Sequence, residues 1–112
     1  MTRLSLRREV GVAALACLTA APATALASAS AAANHNVTLH NIGFSPRVLS
    51  VHRGDTVTFL FRDGKIAHNV TGRGFASHTQ ASGSYTVRFS RTGTYPYRCT
   101  LHPGMSGTII VH

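Results

Sequence analysis

Beyond residue 34, apolar and polar residues alternate with a period of two, the spacing of strands with one face buried. Val37 and Leu39 share one face of a strand predicted over 36–40. Leu49 and Val51 alternate within a second, from Arg47 to His52, and Val57, Phe59 and Phe61 within a third, from Thr56 to Phe61. Tyr85, Val87 and Phe89 repeat the pattern, as do Tyr95, Tyr97 and Cys99, and Gly107 to Val111 closes the chain with a last strand. Turn residues punctuate these runs: Ile42 to Pro46, Arg53-Gly54-Asp55, Arg62 to Lys65 and Arg91-Thr92-Gly93. Glycine and serine dilute the stretch from His68 to Ser84, which reads as mostly loop with Phe75 anchored in the core. No amphipathic helical repeat follows residue 33. Many short strands at even spacing predict an all-β fold, a small Greek-key β-sandwich.

The first 33 residues differ. They are rich in alanine, with Arg3, Arg7 and Arg8 ahead of an apolar run from Val10 to Ala21. Ala25-Leu26-Ala27 and Ala29-Ser30-Ala31 both suit cleavage after small residues, so the segment reads as an export signal. Its apolar run is shorter than the about 20 residues needed to span a bilayer, so no stable membrane insertion is expected after processing. Two parts result: a signal with a short linker over 1–33 and one domain over 34–112. The composition looks bacterial and places the product in the periplasm or outside the cell. Arg7-Arg8 raises the twin-arginine route, although the usual flanking residues are mostly missing. Lipid attachment at Cys17 is disfavoured by Ala14, where a larger aliphatic residue is usual.

Charge narrows the partners. The chain carries a formal net charge of +8. Past the signal its only acids are Asp55 and Asp63, against seven arginines and Lys65. An acidic protein partner suits that balance. A nucleic-acid role does not suit an exported chain without aromatic–basic stacking motifs. About 80 residues bury only a modest core, so a bound metal would help to hold them.

Cysteine usage points to that metal. With Cys17 in the signal, Cys99 stands alone in a compartment that oxidises free thiols, and coordination would protect its sulfur. Cys99-Thr100-Leu101-His102-Pro103-Gly104-Met105 lies between two predicted strands. It offers a thiolate, an imidazole and a thioether at spacings of three and three, a donor set that favours copper over zinc. Two histidines, one cysteine and a weak axial methionine make the blue-copper arrangement, so one more histidine must come from elsewhere. His68, just past a strand–turn unit and followed by Asn69, is the first choice, and His78 in the flexible stretch is its competitor. His35, His40, His52 and His112 are spread over strands, turns and the terminus.

The run from Tyr95 to Val111 resembles the ligand loop and last strand of the cupredoxins, the blue-copper family, of plastocyanin and amicyanin type. Its two-residue gaps are most similar to amicyanin. His68-Asn69-Val70 resembles the family's first ligand segment, and Phe44-Ser45-Pro46 and Gly54-Asp55-Thr56-Val57 its early strands. The resemblance implies one mononuclear copper held by His68, Cys99, His102 and Met105, with Asn69 bridging to Thr100 beside it. It implies a monomeric, non-enzymatic electron carrier cycling between Cu(I) and Cu(II), with a transient redox protein as partner. A copper carrier or buffer with the same site is the alternative, kept open by His35, His40 and His112. The stretch of 30 residues between His68 and Cys99 is shorter than in amicyanin or plastocyanin, so a strand or helix of the family is expected to be trimmed there.

Overall fold

The computed structural model describes residues 31–112, and the predicted signal, with its arginine pair and Cys17, lies outside them. Among the described residues the elements are all strands: β1 (Asn34–Leu39), β2 (Phe44–Ser45), β3 (Val48–Val51), β4 (Thr56–Phe61), β5 (Thr71–Gly72), β6 (Phe75–Ala76), β7 (Ser84–Arg88), β8 (Gly93–Arg98) and β9 (Ser106–Val111). They form two sheets, ordered β2-β1-β4-β7 and β3-β9-β8-β5-β6. β1 pairs in parallel with β4, and β3 with β9, so these connections leave one sheet and return through the other. The fold is an all-β sandwich of the Greek-key kind.

The alternation read from the sequence decides which face of each strand goes inward. β4 and β9 each bury every second residue. Val37, Leu39, Val57, Phe59 and Ile109 are fully buried, each contributing about 1.5–3 kcal/mol relative to exposure. Tyr97 of β8 crosses the gap between the sheets. Its ring stands edge-on to Phe44 at 4.7 Å and to Phe59 at 5.2 Å, a favoured aromatic geometry. Gly107 on β9 lies directly beneath the Tyr97 hydroxyl, where an added Cβ would collide with the phenol and approach the Arg47 carbonyl to 2.9 Å.

Three short strands escaped the hydrophobic pattern: β2, which lies within the run read as a turn from Ile42 to Pro46 and pairs with β1, and the pair β5 and β6. The glycine-rich stretch after His68 contains a small hairpin, β5–β6, and β5 pairs antiparallel with β8. Glycine is depleted in strands, which hides β5 from a periodicity count. Here Gly72 is required because an added Cβ would collide with the Phe75 ring, and Gly74 turns the hairpin with φ at 87°. Phe75 packs edge-on against Phe89 at 5.6 Å, joining the core through its ring.

Asp55 closes the opposite end of the sandwich. Its buried carboxylate accepts the backbone N–H groups of Ala33 at 2.9 Å and His52 at 3.0 Å, and meets His35 Nε2 at 2.9 Å. The Ala33 N–H, then His35 and the His52 N–H, hold this carboxyl well below the usual carboxylate range. A carboxylate so depressed stabilises the fold above its unfolded value of about 3.9, and that stabilisation fades as pH falls further.

Two outcomes follow. Gly107→Ala should cost about 1–3 kcal/mol through overpacking, and a melting temperature equal to wild type would contradict the packing described. Melting temperature should fall as pH drops from about 5 to about 2, and Asp55→Asn should be less stable at neutral pH with a shallower acid dependence. A variant that keeps the wild-type slope would assign the acid sensitivity elsewhere.

Candidate metal centre

The loop between β8 and β9 is shaped by its neck. The Cys99 N–H donates to the Met105 carbonyl at 3.0 Å, and the Met105 N–H to the His102 carbonyl at 3.1 Å. Gly104 supplies the left-handed turn between them, with φ at 86°. Cys99 and Met105 are thereby buried at the two ends of the loop, while His102 stays half-buried at its crest.

His68 arrives from a different segment. Its backbone forms an isolated bridge with Gln80, donating to the Gln80 carbonyl at 3.0 Å and accepting the Gln80 N–H at 2.9 Å. Its side chain is fully buried. Asn69 then ties this segment to the loop. Its Nδ2 donates to Thr100 Oγ1 at 2.8 Å, its Oδ1 accepts the Thr100 N–H at 3.0 Å, and its backbone N–H points at Cys99 Sγ at 3.5 Å. Nδ2 also reaches Thr79 Oγ1 at 3.2 Å.

Three donors converge. His68 Nδ1 and His102 Nδ1 are 3.1 Å apart, and Cys99 Sγ is 3.8 Å from the first and 3.5 Å from the second. Nitrogen and sulfur donors about 2.0 Å and 2.3 Å from one ion stand roughly 3.5–3.7 Å apart in a trigonal plane. The observed separations fit a single ion with little rearrangement. Among the described residues this is the one group of three or more His, Cys, Asp or Glu donors with such convergence. His78, the competitor, is exposed and outside it. His35 faces Asp55, and His40 Nδ1 lies 3.2 Å from the Arg62 carbonyl.

Asp63 was legible in the sequence only as a turn residue, yet its Oδ2 lies 2.7 Å from His68 Nε2. A carboxylate accepts only, so Nε2 is the donor nitrogen of the ring, and Nδ1 faces Cys99 and His102. The Ile42 N–H, then His68 and the Asn41 N–H, hold the Asp63 carboxyl below the usual carboxylate range. The signal available in the sequence was its rarity: one of two acids past the signal, five residues ahead of a histidine.

Comparison with known proteins agrees with this chemistry. The family described as a cupredoxin-like domain matches residues 10–111. A protein named "Putative pseudoazurin" from Rhizobium leguminosarum bv. viciae is 34% identical over 109 residues, covering 84% of this chain and 70% of its own. Amicyanin from Paracoccus denitrificans is 37% identical over 71 residues, covering 56% of this chain and 53% of its own. A solved amicyanin variant in its Cu(I) form superposes with a TM-score of 0.65 at 29% identity, covering 70% of this chain and 82% of that one. Fold, donor set and relatives thus converge: the chain belongs to the cupredoxin family, and its cofactor is copper.

Proposed function

We propose that this chain is an exported blue-copper electron-transfer protein, in which His68 Nδ1, His102 Nδ1, Cys99 Sγ and the Met105 thioether hold the ion. The observation that carries the reading is the meeting of two imidazole nitrogens and one buried thiol within 4.8 Å of one another, beneath a loop that also buries a methionine. Copper supplies a one-electron change between cuprous and cupric states in such a donor set. The chain's own residues supply rigidity. Asn69 and Thr100 lock the ligand loop to the His68 segment, the Gln80 bridge fixes the His68 backbone, and the loop neck fixes Cys99 against Met105. Donors anchored in this way move little when the charge on the site changes. The Asn69 N–H directed at Cys99 Sγ stabilises the thiolate and draws electron density from it.

His102 is the donor nearest solvent, and Leu101 beside it is 46% exposed. Pro103 and Gly104 extend that surface, and Ile66 is exposed as well. A small apolar rim suits a brief encounter with a redox protein, and the basic surface favours an acidic one. Residues 1–33 supply the export signal and a short linker, and 34–112 the copper domain, which functions as a monomer in the periplasm. Four filled ligand positions leave no open coordination site for a substrate, which favours a carrier of electrons over an enzyme. The relatives named above support the same reading.

Adding cupric ion to the processed protein should produce an intense thiolate-to-copper visible band, absent in Cys99→Ser. A colourless wild-type protein would sink the proposal. Leu101→Glu should keep the band while slowing electron exchange with an acidic redox partner, and an unchanged exchange rate would remove the rim from the mechanism.

A further inference from the structure

We infer that Asp63 is a positioning residue that tunes the site toward the cupric state by acting through His68, an inference that rests on the copper reading above. Its carboxylate is almost closed off from solvent, with 8% of the side chain exposed. One oxygen accepts the Asn41 N–H at 3.0 Å; the other accepts the Ile42 N–H at 2.9 Å and faces His68 Nε2 at 2.7 Å.

The seat that holds this carboxylate is unusual. Asn41 and Ile42 are consecutive residues in the left-handed region, both with φ at 52°. Asparagine tolerates that conformation, but for a β-branched isoleucine it is an outlier. Two successive residues so twisted turn their N–H groups to one side and form a small concave seat for an anion. Asp63 fills it. The strained backbone and the carboxylate therefore hold each other, and the oxygen that accepts the Ile42 N–H is also aimed at His68.

The consequence is electrostatic. In a chain of net charge +8 with only two acids past the signal, one sits in hydrogen-bond contact with a predicted ligand. A carboxylate on the far nitrogen of a ligating imidazole fixes its tautomer and makes the near nitrogen a stronger donor. Both effects favour the more highly charged oxidation state. Asp63→Asn keeps the volume and can still accept a backbone N–H, but it removes the charge.

Affinities for Cu(II) and Cu(I) should be measured on the processed full domain for wild type, Asp63→Asn and Asp63→Glu. Asp63→Asn should lose about 10- to 100-fold in Cu(II) affinity, with a smaller loss for Cu(I), so that more of the bound copper is reduced at a fixed mediator potential. Asp63→Glu, which retains the charge, should recover part of the difference. Equal losses for both ions would mean a structural role only and would overturn the inference. The wild-type protein offers a second reading that needs no variant: in its Cu(I) form the His68 Nε2 proton should be hydrogen-bonded and slow to exchange by NMR, and a freely exchanging proton overturns the inference. A wild type without the thiolate band brings down the copper reading and this inference together. A normal band with an unchanged Cu(II)-to-Cu(I) affinity ratio in Asp63→Asn removes the inference alone.

Discussion

The paired hydrogen bonds between Asn69 and Thr100 are the constraint on which the site depends. Two segments 31 positions apart, which the β5–β8 pairing brings alongside each other at Thr71 and Arg98, are locked by these bonds at the level of the donors themselves. One side-chain amide donates to the hydroxyl and accepts from the backbone of the same residue. That fixes both separation and orientation, which a single contact would not. The segment carrying His68 and the loop carrying Cys99, His102 and Met105 thus become one rigid unit before any ion is considered. Part-buried hydrogen bonds of this kind each add about 1 kcal/mol and cost more when one partner is lost. Their larger effect is to leave the donors nowhere else to go.

The sandwich serves this unit. β8 and β9 present the two ends of the ligand loop from adjacent positions in one sheet, with Arg98 opposite Ser106 in register. Tyr97, two residues before Cys99, drives its ring into Phe44 and Phe59 of the facing sheet and anchors the neck of the loop to the core. Asp63, in the turn after β4, reaches the same region from the other sheet. Both layers therefore contribute to the position of the donors, and loosening either would be felt at the site.

Most of this architecture was readable in advance, for a definable reason. Val57, Phe59 and Phe61 alternate because one face of β4 is buried, and a period of two survives in any sequence that must bury one face. The loop donors were readable because Cys99, His102 and Met105 are close in sequence, so their chemistry shows without a fold. What escaped was of two kinds. β5 was hidden because Gly72 lies under the Phe75 ring, and a glycine chosen for close approach carries no hydrophobic signal. Asp63 escaped because its partner is reached through space, and a lone acid in a turn looks the same whether it faces water or an imidazole. The choice of His68 over His78 rested on neighbouring residues and resemblance, while burial separates the two at once: one fully enclosed, the other exposed.

The place of β9 carries a consequence for the order of assembly. It is the last strand along the chain, yet it lies between β3 and β8, with parallel pairing to one and antiparallel pairing to the other. Until it arrives, β3 has no neighbour in its own sheet, and Val51 and Tyr97 lack the Ile109 and Val111 layer beside them. The second sheet therefore does not close progressively along the chain; closure waits for β9. Such long-range pairing makes for slow folding. It also leaves the polypeptide open, with Cys99 not yet enclosed, until β9 is in place. The metal-binding pocket comes into being only once β9 has entered the middle of its sheet.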